Sequence, residues 1–113
     1  MGFSPLNNHQ EFDAILEKSA VQPQVIFKHS TRCYISSSAL KRMNGCIENP
    51  SATYSLLDLI AHREISNAIA SQLNIEHQSP QAILISEGKV IKSWSHEKID
   101  AETILLSIQQ LKA

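Results

Sequence analysis

Apolar residues follow a helical spacing in four stretches of the chain and form short continuous runs between those stretches. Apolar positions three and four apart mark one face of a helix, whereas a short apolar run is typical of a buried strand. The spacing predicts helices over 8–20, 34–44 and 63–73 and from about residue 100 onward. Strands are predicted over 25–27, 54–60 and 82–85 and from residue 90 to Trp94.

The predicted elements follow one another in the order α-β-α-β-α-β-β-α. Such alternation is typical of an α/β fold in which helices pack on a sheet. A turn at Glu87-Gly88 makes the last two strands antiparallel, so we expect a mixed sheet of four strands flanked by helices. Gly45 stands where the second helix would end in a left-handed residue. The 113 residues suit one domain, 1–113.

Composition and charge exclude several classes of function. The formal net charge is −1 and there is no basic stripe with interleaved aromatic residues, so no nucleic-acid partner is expected. The apolar runs are far shorter than the ~18 residues of a membrane-spanning helix, and no secretory signal is evident. We therefore expect a cytoplasmic protein without a membrane partner, whose two cysteines are thiols. No Cys or His pair has metal-ligand spacing, so no metal site is expected.

Cys33 lies at the predicted junction between the first strand and the second helix. The first N–H groups of a helix have no partner within the helix and its dipole is positive there, so a thiolate is stabilised. Arg32, His29 and Lys28 add positive charge nearby. The position and the charge together predict a reactive thiol.

Ser36 follows three positions later, on the same face of the helix. Its hydroxyl or its backbone N–H is expected to hydrogen-bond the Cys33 thiolate. A dithiol enzyme would have a second cysteine at this position to expel the bound partner. Serine cannot do so, and the reaction would therefore stop at a mixed disulfide until another thiol arrives.

Cys46 is interpreted as a core residue rather than a resolving thiol. Ile35, Ala39, Met43 and Cys46 form one narrow apolar stripe on the second helix. Thirteen helical residues would separate Cys46 from Cys33 by roughly 20 Å. A disulfide needs Cα atoms within about 7 Å of each other.

Two polar or turn residues outside this segment have more than one interpretation. Pro80 precedes the third predicted strand, and its peptide bond with Ser79 is either an ordinary trans turn or a cis bond. Asp58 ends the second predicted strand, either as a buried carboxylate beneath the site or as a cap or ion-pair partner of Arg63.

The segment Phe-Lys-His-Ser-Thr-Arg-Cys at 27–33, continued by 35–40, resembles the active-site segment of the YtxJ-type monothiol bacilliredoxins. Further matching positions lie at 58–60, 63, 65–67, 69–70 and 77–81. The resemblance runs from roughly residue 10 to residue 110, and the combination of segments is more specific than any one of them.

The resemblance implies a thioredoxin-like fold with Cys33 at the head of a helix and Pro80 in cis opposite it. The backbone of Ser79 would then be free to pair with an incoming disulfide partner. It also implies thiol–disulfide exchange in which Cys33 takes bacillithiol, or a similar small thiol, from S-thiolated cytosolic proteins. The small thiol is a co-substrate, and no other cofactor is implied.

Tyr34 departs from the family pattern, which usually has proline directly after the cysteine. Proline would fix φ and supply no N–H. Tyrosine restores that N–H and adds bulk at the mouth of the groove formed with Ser79 and Pro80. Two other functions stay open: a non-catalytic protein-binding module, and an iron–sulfur carrier in which two chains each donate Cys33.

Overall fold

Five strands form one mixed sheet at the centre of the protein, in a computed structural model that describes residues 2–111. The strands are β1 (Phe3–Pro5), β2 (Gln24–His29), β3 (Thr53–Asp58), β4 (Gln81–Ser86) and β5 (Lys89–Ser95), in the spatial order β1-β3-β2-β4-β5. The helices are α1 (His9–Lys18), α2 (Tyr34–Arg42), α3 (Arg63–Leu73) and α4 (Ala101–Gln110), with short 3-10 turns at Met43–Gly45 and His96–Lys98. The α/β fold class is confirmed.

The sheet has one strand more than the sequence pattern predicts. The additional strand, β1, pairs in parallel with β3 through Phe3, Ser4 and Pro5. It is only three residues long and ends in proline, which a sheet tolerates on an edge strand but which weakens the sequence signal. The predicted count of four strands is therefore wrong by this edge strand.

Strand β2 is the central strand, and all six of its residues are buried. It pairs in parallel with β3, so that His29 lies opposite Asp58, and antiparallel with β4, so that Lys28 lies opposite Gln81. The carboxyl ends of β2 and β3 and the amino end of β4 therefore meet at one end of the sheet. The loop that leads to Cys33 starts at this end.

Each face of the sheet carries its own apolar cluster. Val25 and Phe27 of β2 pack toward α2 and α4, where Ala39 and Ile104 are buried. Ile26 lies on the opposite face, in a cluster with residues of α1 and α3. Because side chains alternate between faces along a strand, Lys28 lies on the α1/α3 face and His29 on the α2/α4 face.

Local signals in the sequence account for several element ends. Asn8 caps α1 by accepting a hydrogen bond from the Glu11 N–H, and Asp100 caps α4 through the Thr103 N–H. Glu87 and Gly88 both have positive φ, as a tight hairpin turn between β4 and β5 requires. In residues 2–111, no helix is long and apolar enough to cross a membrane.

Gly45 is required by a close approach and not by its backbone conformation. Its φ lies outside the left-handed region, so the predicted left-handed end of the second helix is wrong. A Cβ added at Gly45 would lie 2.9 Å from the Cβ of Ala101, at the start of α4. The missing side chain lets the 3-10 turn that follows α2 approach the start of α4.

We expect Gly45→Ala to lower the free energy of unfolding by about 1–3 kcal/mol, because the new methyl group would overpack this contact. The double variant Gly45→Ala/Ala101→Gly removes the clash and should recover most of the loss. Urea titration of the three proteins measures the effect. Equal losses in the single and the double variant would refute the explanation by close approach.

Candidate active site

Cys33 is the N-cap residue of α2 and is partly exposed. Its backbone N–H donates to the Ser30 carbonyl at 3.1 Å, and its own carbonyl accepts from the Ser37 N–H at 3.1 Å. Its side chain makes no capping hydrogen bond within the described residues, and the first turn of α2 has no acidic residue. The thiol therefore lies at the positive end of a helix.

Ser36 is fully buried beneath Cys33, and its hydroxyl is occupied by other partners. The Ser36 Oγ accepts a hydrogen bond from the Ser30 N–H at 3.0 Å and lies 2.7 Å from Nδ1 of His29. The hydroxyl thus links the start of α2 to the end of β2. A hydrogen bond to the Cys33 thiolate from the Ser36 backbone N–H stays a prediction.

His29 is buried on the α2/α4 face, with its ring 6.1 Å from that of Phe27. Burial lowers the pKa of His29 below its usual 6.5, and the negative charge of Asp58 opposes the shift. The imidazole is consequently neutral at pH 7. The structure places His29 against Ser36 as a hydrogen-bonding group, not as the positive charge that its sequence position suggested.

The residues around Cys33 are exposed and partly apolar. Tyr34 is 86% exposed, so its ring covers little of its surroundings. Ile35 is 52% exposed, so the predicted apolar stripe of the second helix is buried only from Ala39 onward. Arg32 is also exposed, and Ile60 borders the same end of the sheet on the loop after β3.

Pro80 forms the other side of this region. The Ser79–Pro80 peptide bond is cis, Pro80 is buried and Ser79 is partly exposed. The pairing of Lys28 with Gln81 places Pro80 beside His29, at the end of the sheet where the loop to Cys33 starts. The Pro80 carbonyl is occupied by the His96 N–H at 3.2 Å.

Two other candidates, Cys46 and Asp58, have hydrogen-bond partners of their own. Cys46 is fully buried, its thiol donates to the Met43 carbonyl at 3.3 Å, and burial raises the pKa of the Cys46 thiol. Asp58 accepts from the N–H groups of Ile60 and Ala61, which is the capping role and not that of a buried carboxylate beneath the thiol. In residues 2–111, no three His, Cys, Asp or Glu side chains are grouped to hold a metal ion.

Comparison with known proteins identifies the family. The family model described as Monothiol bacilliredoxin BrxC matches residues 4–104. The chain belongs to the monothiol bacilliredoxin family.

Solved structures place this bacilliredoxin among the thioredoxin folds. A proposed oxidoreductase with a thioredoxin fold is 24% identical, with a TM-score of 0.82 over 91% of this chain and 90% of that one. A thioredoxin from Fasciola hepatica is 13% identical, with a TM-score of 0.74 over 96% and 98%. A thioredoxin from Malassezia sympodialis is 14% identical, with a TM-score of 0.76 over 100% and 94%. These structures support the fold alone, and the family adds a thiol oxidoreductase role.

Lys28 is a buried residue of this bacilliredoxin whose partners the sequence did not reveal. Its side chain is fully buried, and its Nζ donates to the Ser66 carbonyl at 3.1 Å and lies 3.3 Å from Nδ1 of His77. Both partners are neutral acceptors. Burial lowers the pKa of Lys28 from 10.5 to about 8. The sequence signal is a lysine directly after an apolar run, and the pattern predicts only that it adds positive charge near Cys33.

We expect Lys28→Met to raise the free energy of unfolding at pH 7 by up to about 3 kcal/mol. A lysine pKa that is lower in the folded chain than in the unfolded chain means that the charged lysine destabilises the folded state. Below pH 8 the folded and the unfolded chain are both protonated at Lys28, and the difference between variant and wild type is constant. Between pH 8 and 10.5 the folded wild type loses this proton first, so its stability rises and the difference shrinks. Urea titrations from pH 7 to 10 measure this, and a difference independent of pH would refute it.

Proposed function

We propose that this chain is a monothiol thiol–disulfide oxidoreductase that removes a small thiol of the bacillithiol type from proteins carrying it as a mixed disulfide. One arrangement supports the proposal most directly. Cys33 is the N-cap of α2, and the position three residues later is Ser36 instead of a second thiol. The site has a nucleophile and no resolving group in the same turn.

In the first step the Cys33 thiolate attacks the sulfur of the small thiol in the mixed disulfide. A new disulfide forms between Cys33 and the small thiol, and the bond between the small thiol and the protein breaks. The protein cysteine leaves as a thiolate and takes a proton from water. The free N–H groups of the first turn of α2 stabilise the attacking thiolate.

In the second step a free small thiol, as its thiolate, attacks the small-thiol sulfur bound to Cys33. The bond between Cys33 and the small thiol breaks, and the products are a symmetric disulfide of the small thiol and the Cys33 thiolate. Over both steps the protein disulfide is reduced, the small thiol is oxidised, and Cys33 returns to its starting state. The small thiol is thus a co-substrate, and the mechanism needs no other cofactor. This chemistry suits a cytoplasmic protein, where thiols are kept reduced.

The substrate groove is proposed to lie between the start of α2 and the loop before β4. Tyr34 and Ser79 border it, Pro80 forms its floor, and Arg32 supplies a positive charge at its edge. The backbone of Ser79 is the group proposed to pair with the protein partner. The exposed Tyr34 and Ile35 side chains offer apolar contacts to that partner.

The proposal predicts that Cys33 alone is modified when the protein meets a peptide carrying bacillithiol as a mixed disulfide. Without free thiol, the mass of the wild type should increase by one bound bacillithiol, while the peptide is released reduced. Cys46→Ala is the matched control and should behave like the wild type, because Cys46 is buried. Cys33→Ser should gain no mass.

Peptides carrying glutathione or cysteine in place of bacillithiol measure the preference for the small thiol. Equal rates with all three would contradict specificity for bacillithiol but not the exchange reaction. A Cys33→Ser protein that kept the wild-type biological activity would overturn the enzyme proposal in favour of a binding module.

Ser36→Cys should convert the site from one thiol to two. The new thiol lies one helical turn from Cys33, so it should attack the mixed disulfide and release the small thiol without a second molecule. Mass spectrometry after one turnover should then show an intramolecular disulfide where the wild type keeps the adduct. Ser36→Cys/Cys33→Ser is the control, and a persistent adduct in the single variant would contradict the assigned role of position 36.

A further inference from the structure

The loop between α3 and β4, residues 74–80, is held by two buried residues on neighbouring strands. Lys28 of β2 and Gln81 of β4 lie directly opposite each other in the sheet, and both side chains are buried. Lys28 contacts His77 of the loop, and Gln81 contacts the loop backbone. The two strands that form the centre of the sheet therefore both fix this loop.

Gln81 holds the loop through main-chain groups. Its Nε2 donates to the Glu76 carbonyl at 3.0 Å, and its Oε1 accepts from the Gln78 N–H at 3.4 Å. These bonds flank His77 on both sides. Within this loop, the hydrogen bond from Lys28 goes to the His77 side chain.

The contact between Lys28 and His77 joins three elements at one point. Nδ1 of His77 lies 3.3 Å from the Lys28 Nζ and 3.4 Å from the Ser66 Oγ, while the Lys28 Nζ also donates to the Ser66 carbonyl. Burial first, and then the positive charges of Lys28 and Arg63, lower the pKa of His77. The imidazole is neutral at pH 7 and its Nδ1 can accept from the ammonium group.

A buried ammonium group that has only neutral acceptors opposes folding. Methionine has a similar length, needs no hydrogen bond and would fill the same space. A local departure from the rule that buried charges are paired with opposite charges is expected at functional sites. The loop that Lys28 holds ends in Ser79 and Pro80, two residues of the proposed groove.

We propose that Lys28 is a positioning residue that, through its bond to His77, holds the 74–80 loop so that the Ser79 backbone can pair with a protein disulfide. This inference rests on the proposed function, because it concerns the groove of that same reaction. Lys28 does not touch the reacting sulfurs: it lies on the α1/α3 face of the sheet, whereas Cys33 begins a helix on the other face. Its effect is expected on substrate binding and not on the chemical step.

Two substitutions of His77 separate the hydrogen bond from the histidine itself. His77→Asn places an acceptor oxygen the same number of bonds from Cα as Nδ1, so it can keep the bond to Lys28. His77→Val removes the acceptor and keeps a branched side chain. Because His77 belongs to neither apolar cluster, neither variant removes a core side chain.

With the peptide carrying bacillithiol as substrate, His77→Val is expected to raise KM about three- to tenfold with little change in kcat, the range for losing one ordinary intramolecular hydrogen bond. His77→Asn should restore KM to near the wild-type value. Lys28→Met should raise KM like His77→Val although it stabilises the fold, which a purely structural role would not produce. KM values for all three variants that equal the wild-type value would overturn the inference.

Amide hydrogen exchange tests the loop without any reaction. Exchange across residues 74–79 should be faster in His77→Val and Lys28→Met than in the wild type and His77→Asn. If exchange changes in this way but the wild type does not turn over the peptide, the proposed function fails and the loop contact stands. If the wild type is active and exchange is unchanged in every variant, the positioning role of Lys28 fails and the proposed function stands.

Discussion

The burial of β2 on both faces and along both edges is the constraint on which the rest of the site depends. A buried polar side chain near the carboxyl end of this strand cannot hydrogen-bond to bulk water and needs a hydrogen-bond partner within the protein. Lys28 reaches His77 and Ser66 on one face, and His29 reaches Ser36 on the other. Two consecutive residues of the central strand thus fix the two sides of the proposed groove, the loop before Pro80 and the first turn of α2.

The His29–Ser36 contact also gives Ser36 a structural role in addition to the absence of a second thiol. The Ser36 oxygen is a strong acceptor for the Ser30 N–H and lies at hydrogen-bond distance from the imidazole. A thiol is a weaker acceptor with a larger sulfur, so it would satisfy the same buried groups less well. The single-thiol state is therefore built into the packing beneath Cys33.

Most of the fold could be predicted from the sequence, because helix periodicity, apolar runs and the caps at Asn8 and Asp100 are local signals. What could not be predicted depends on contacts distant in the chain. Strand β1 is too short to have a pattern of its own, and Gly45 is explained only by its contact with Ala101. The position of Cys33 at the start of a helix followed from local order, whereas the partners of Lys28 required the register of the sheet.

The charges near Cys33 also could not be predicted from the sequence alone, and their positions decide which groups can stabilise the thiolate. Sequence proximity suggested three cations, but Lys28 lies on the other face of the sheet, His29 is neutral, and Arg32 is exposed, where solvent screens its charge. What remains beside the thiol is the backbone of the first turn of α2. In that turn Tyr34 supplies a backbone N–H that the family's usual proline would lack. Tyrosine at position 34 therefore adds a hydrogen-bond donor in the turn whose N–H groups are proposed to stabilise the Cys33 thiolate.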